Sequence, residues 1–151
     1  MGEYFKVFNL DRREVLDPSL LGQGLKPGDL GRNERLMMAL TYLLARSGTL
    51  SGTRRHQQDP MFGRWSGQRI TMVGDAFSGS TGELSWDEDT WTSRAEGSGN
   101  WVDISEHVLA AVEDFFQIPE SDRRPIARPL RSVLHPDGRV TAIPVDDRGA
   151  G

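Results

Sequence analysis

The stretch Gly63-Arg64-Trp65-Ser66-Gly67-Gln68-Arg69-Ile70-Thr71-Met72-Val73-Gly74-Asp75 constrains the fold more than any other part of this chain. Glycine stands on both sides of a large ring, and that pattern calls for a backbone turn that aims the indole at one place. The residues that follow place Ile70 and Met72 on one pleat and Thr71 and Val73 on the other. This alternation predicts a strand over 68–73 with one buried face. A tryptophan fixed at the mouth of a strand reads as an anchor for a core.

That core must be modest. A chain of 151 residues suits one domain, and 17 glycines with 8 prolines give turns and loops a large share of it. The formal net charge of −4 supplies no whole-molecule attraction to nucleic acid or to anionic membrane. The absence of cysteine excludes disulfides, thiol nucleophiles and cysteine metal sites. The start has no apolar signal-peptide core, and no run approaches the roughly 18–20 apolar residues of a membrane span, so the expected location is the cytoplasm.

Around the tryptophan turn the sequence predicts two helices and two hairpins. Tyr4 to Leu10 and Val15-Leu16 flank the polar reversal Asp11-Arg12-Arg13-Glu14, which reads as a β-hairpin. Leu21 to Asp29 is too rich in glycine and proline for regular structure. From Asn33, a helix cap, Leu36, Leu40, Leu43 and Leu44 mark one face, and Gly48 offers a stop. Gly48 to Pro60 reads as an exposed loop containing Arg54, Arg55 and His56. Ala76 to Asn100 reads as a long loop, or a loop with one short strand around Asp89 to Ser93.

Asp103-Ile104-Ser105-Glu106 resembles a capping box and opens a second helix, whose apolar face is Ile104, Val108, Ala111, Val112 and Phe115, and which Pro119 stops. Beyond a linker rich in arginine and proline, Pro136-Asp137-Gly138 separates two branched runs and predicts a C-terminal hairpin. The expected organisation is a domain over 1–118 and a proline-hinged hairpin and tail over 119–151. The expected fold class is α+β: a small antiparallel sheet packed on two helices, with a C-terminal β-hairpin extension.

Two stretches look familiar together, Tyr4 to Pro18 and Gly63 to Ile70. With the Gly22-Gln23-Gly24-Leu25-Lys26 loop and the Asp103 to Glu106 helix start, they resemble an uncharacterised family of small proteins found in bacteria, archaea and phages. The resemblance spans roughly residues 4 to 116 and stops short of the C-terminal hairpin. It implies one compact α+β domain and carries over no catalytic residue. Where similar proteins tend to carry an acid after the second glycine of the tryptophan turn, this chain has Gln68.

No motif specifies a reaction. His56, His107 and His135 lack the spacing of a helical zinc site, and no serine stands in a nucleophile elbow. The Gly22 to Lys26 loop lacks the Walker spacing. Asp75, Asp87, Glu88 and Asp89 are oxygen donors of the kind Mg²⁺ or Ca²⁺ prefers, although the EF-hand pattern fails; Asp75, Asp87 and Asp89 are the metal candidates. Arg64, Trp65, Arg69, Trp86 and Trp91 are the binding candidates, because tryptophan and arginine dominate recognition hot spots and can also stack a base. The expected role is a non-enzymatic accessory or protein-interaction module that meets a protein partner or a second copy of itself. The competing class is a divalent-cation-dependent enzyme or small-ligand-binding protein using the Asp75 to Asp89 loop.

Overall fold

The computed structural model describes residues 3–21, 27–46, 58–81, 84–86, 101–124 and 132–143. In chain order the elements are β1 (Phe5–Asn9), β2 (Glu14–Leu16), α1 (Pro18–Leu21), α2 (Pro27–Leu30), α3 (Glu34–Leu44), β3 (Ile70–Gly74), β4 (Gly79–Thr81) and β5 (Leu84–Trp86). They continue with β6 (Val102–Asp103), α4 (Ser105–Phe115), a 3-10 turn (Glu120–Asp122), β7 (Ser132–Leu134) and β8 (Val140–Ala142). The α+β class with a C-terminal hairpin is the one the chain adopts.

The N-terminal hairpin is set by Asn9. Its Oδ1 accepts the N–H groups of Asp11 and Arg12 at 2.9 and 2.8 Å, and Arg13 closes the reversal at φ 58°. Val7 then lies opposite Leu16 and Phe8 opposite Val15. β3 adds to the other side of β1, antiparallel, with Phe8 opposite Thr71.

The fourth strand departs from an all-antiparallel sheet, because β6 pairs parallel to β2 and gives the order β3-β1-β2-β6. The Val102 and Ile104 N–H groups donate to the carbonyls of Arg13 and Val15. A parallel neighbour needs a long crossover, and here everything from α1 to β5 lies between the two strands.

Strand alternation gives this sheet two buried faces. Val7 and Leu16 face α3 and α4, in a core with Leu36, Ala39, Tyr42, Leu43, Trp65, Ile104, Val108 and Val112. Phe8, Val15 and Val73 face the opposite way, under Trp86 and Trp101. Phe8 meets both indoles edge-on, at centroid distances of 4.6 and 5.0 Å. Trp86 is carried there by the hairpin of β4 and β5, inside a region that reads in sequence as loop. Pro27 to Leu30 likewise forms a short helix. Residues 22–26, 47–57 and 87–100, which hold the glycine loop, Arg54 to His56 and the Asp89 to Ser93 segment, lie outside the described residues.

Both helices form where expected, with corrected faces. Asn33 caps α3 by accepting the Leu36 N–H at 3.0 Å. The buried stripe is Leu36, Ala39, Tyr42 and Leu43; Leu40 is half-buried and Leu44 exposed. The helix stops at Leu44, before Gly48, because the tryptophan turn terminates it: the N–H groups of Gly63 and Trp65 donate to the carbonyls of Tyr42 and Leu43. Gly63 sits at φ 66°, and a Cβ there would lie 2.9 Å from the Ala45 carbonyl oxygen, so the first glycine of the turn is a steric requirement.

α4 buries Val108, Leu109 and Val112, while Ala111 and Phe115 are half-buried. Its end is a Schellman motif upstream of Pro119, with Ile118 and Gln117 N–H groups donating to Glu113 and Asp114 carbonyls and Gln117 at φ 54°.

The C-terminal hairpin packs on the rest of the molecule. Val140 is buried in the main core, Leu134 packs against it, and β8 lies beside β6. Ser132 is fully buried, and its Oγ donates to the Asp103 carbonyl at 2.6 Å. Among the described residues no helix is long and apolar enough to cross a membrane.

Candidate functional site

Three segments far apart in sequence converge on the pair of Glu14 and Arg64. β2 presents Glu14 on the same face as Leu16, so its carboxylate enters the core beside Trp65. Arg64 Nε donates to Glu14 Oε1 and Oε2 at 2.9 and 3.0 Å, and Nη2 donates to Oε2 at 2.8 Å. Trp65 Nε1 donates to Oε1 at 2.9 Å. The side chains of Glu14 and Arg64 are only 4% and 7% exposed. A buried pair is tolerable only with this degree of hydrogen bonding.

The same guanidinium reaches the C-terminal hairpin, where Arg64 Nη1 donates to the Gly138 carbonyl at 2.7 Å. On the other side, Arg12 Nε donates to the Arg64 carbonyl at 3.1 Å. Above this network opens a cleft of about 720 Å³. Arg12, Gln58 and Pro60 line it from the N-terminal half, Pro136 to Val140 from the hairpin, and Glu14 with Arg64 from below. Arg12 and Arg139 are exposed at its rim, and their Nη groups make no hydrogen bond to a described residue. Arg139 stands 3.8 Å from Asp137 with both side chains about two-thirds exposed, a pairing that solvent screens heavily. The Arg139 N–H holds the Asp137 carboxyl below the usual carboxylate range.

The predicted binding residues therefore separate. Trp65 is wholly buried and Arg64 nearly so, which makes them the support of the cleft. Arg69 lies at the surface, paired with Asp11 at 2.8 Å, and its backbone N–H, first among the causes, holds the Asp11 carboxyl low. Trp86 belongs to the second core. Trp91, Asp87, Glu88 and Asp89 lie outside the described residues. Asp75 Oδ1 accepts the Tyr4 N–H at 3.0 Å, and among the described residues no three His, Asp or Glu side chains gather as a metal site. Arg12, Glu14 and Arg139 escaped the sequence reading. A lone glutamate at an inward position of a branched strand was the available signal.

A second polar cluster lies under the hairpin. Asp103 Oδ1 accepts from the Ser105 N–H at 2.9 Å and its hydroxyl at 2.6 Å, and Ser105 Oγ accepts the Asp17 N–H. Burial pushes the Asp103 carboxyl up to about 6, against the lowering effect of the Ser105 hydrogen bonds. Glu106, in the first turn of α4, does not complete a capping box: both carboxylate oxygens are buried without a hydrogen-bond partner among the described residues.

His107 Nε2 stands 3.1 Å from Ser132 Oγ, a distance that invites a catalytic reading. The serine proton is already directed to the Asp103 carbonyl, and Nε2 also lies 3.0 Å from the Ser132 carbonyl oxygen. Nε2 is therefore the donor to both oxygens and cannot act as the base for that hydroxyl. The pair fastens the hairpin to α4.

No family model matches the chain, no curated protein matches it, and no solved structure matches it.

Proposed function

We propose that this protein is a non-enzymatic binding module and that its recognition site is the cleft between the N-terminal hairpin and the C-terminal hairpin. One observation carries the reading: two exposed arginines whose Nη groups make no hydrogen bond to a described residue flank a concave site of about 720 Å³, a size within the range of small-molecule pockets. Their supports are fixed in advance by the buried Glu14 and Arg64 pair, which limits the ordering cost of binding. The burial of Trp65 and Trp86 supports the cleft over a tryptophan hot spot as the place where a partner docks.

The test is capture from the native host with mass-spectrometric identification of bound proteins and metabolites. Gln58→Trp places a large ring at an exposed lining position without touching the core. Capture retained by wild type and lost in Gln58→Trp is the expected result. Equal capture by a folded Gln58→Trp protein would remove the cleft as the recognition site.

A further inference from the structure

We infer that the cleft takes a small hydroxylated oxyanion, a phosphate or carboxylate borne on a compact non-aromatic skeleton such as a sugar phosphate or a hydroxy acid. This inference rests on the cleft being the recognition site.

The argument begins with how the rim arginines are held. Arg12 uses Nε on the Arg64 carbonyl, which leaves its two Nη groups as the free end of the fork. Arg139 follows Gly138, whose carbonyl is gripped by Arg64 Nη1. One buried residue thus fixes the backbone beneath one rim guanidinium and the Nε of the other. Planar guanidinium forks match the spacing of carboxylate and phosphate oxygens, and an oxyanion is the ligand class that engages two of them. Arg64 itself is engaged with Glu14 and Gly138, so it supports these groups without supplying the ligand contact.

The lining also discriminates. Among the described residues it contains no aromatic side chain, and the Trp65 indole lies sealed beneath Glu14. A nucleobase would find no aromatic ring to stack on among the described residues, so the aromatic platform on which single-stranded nucleic acid is usually held is missing from that lining. Asp137 stands on the same rim: its Oδ1 accepts the Arg139 N–H at 2.9 Å, while its Oδ2 has a distant, screened ion-pair partner in the Arg139 guanidinium at 3.8 Å. A carboxylate there repels a bare polyanion and accepts hydrogen bonds from hydroxyl groups. Phosphate or carboxylate for the arginines and hydroxyl for Asp137 together define the ligand class.

Ribose 5-phosphate and citrate are the probes, with ribose as the uncharged control. Calorimetry and amide NMR are run on the full chain, on Arg12→Gln and on Arg139→Gln, both exposed positions. The expected result is saturable binding of one or both anions, with amide shifts centred on Arg12, Gly138 and Arg139, and affinity about tenfold weaker in each variant. Binding by ribose 5-phosphate alone assigns the phosphate class, and binding by citrate alone the carboxylate class. No response to either anion at millimolar concentration, equal binding of ribose, or unchanged affinity in both variants would overturn the inference. Loss of host capture in Gln58→Trp with no anion response rejects the ligand class alone; unchanged capture in Gln58→Trp rejects the cleft itself.

Discussion

Arg64 neutralises Glu14 with one edge of its guanidinium and holds the carbonyl of Gly138 with the remaining nitrogen, at 2.7 Å. A strand near the start of the chain and a turn near its end are thereby locked to the same planar group.

Breaking this pair from one side should be costly, because the partner is left buried and charged. Arg64→Ala and Glu14→Ala are each expected to lose about 3–5 kcal/mol in chemical denaturation. The double variant Glu14→Leu/Arg64→Leu should lose far less than the sum of the two single alanine losses, since no lone charge remains. Additive losses would show that the two side chains act independently.

The C-terminal hairpin contributes to folding stability through Val140 and Ser132. Val140→Ala should cost about 2 kcal/mol, from two methyl groups removed from a filled site. Truncation after Arg124 uncovers Asp103, Ile104 and the main core, and should lower the melting temperature sharply. A truncated chain that melts with the full-length protein would contradict this packing.

Asp103 predicts an unusual pH dependence. Its carboxyl titrates near 6 when folded and near 3.8 when unfolded, so between those values the folded state holds more protons. Stability from this group therefore rises as pH falls from about 6 toward 3.8, by at most about 3 kcal/mol. Asp103→Asn keeps an oxygen for Ser105 to donate to and should be more stable than wild type at neutral pH, with the difference vanishing in acid. Urea midpoints across that range measure it; an unchanged difference at both ends would assign Asp103 an ordinary titration.

Two backbone positions should respond in opposite directions. Gln117 holds a left-handed conformation in the Schellman turn, so Gln117→Gly should stabilise by about 1 kcal/mol. Gly63→Ala meets both a left-handed φ and the Ala45 carbonyl, and should destabilise by about 1–2 kcal/mol or more. Thermal denaturation of the two variants reads both signs.

Elements with a local signal were legible in the sequence. The Asn33 cap, the Pro136-Asp137-Gly138 turn and the alternation from Ile70 to Val73 each act within a few residues, and each forms. What stayed hidden depends on distant partners. β6 is two residues long, too short for any period, and exists because Arg13 and Val15 offer carbonyls. The end of α3 is set by Gly63 and Trp65 from a later segment, so Gly48 was a false stop. The cleft shares this origin: Arg64 was a candidate on its own, but Arg12 and Arg139 carry no local signal, and the hydrogen bonds of Arg64 bring the three together.

The reach of Arg64 across 74 residues also sets an order of events during synthesis. While the ribosome is still making the second half of the chain, Glu14 and Arg64 can already meet. Val140 and Gly138 have yet to emerge, and the apolar surface they cover is open to solvent and to other nascent chains. Contacts of such long separation close late and slowly. Covering this surface therefore falls to the hairpin of β7 and β8, and ribosome-bound intermediates stalled before residue 140 should be species that chaperones recognise.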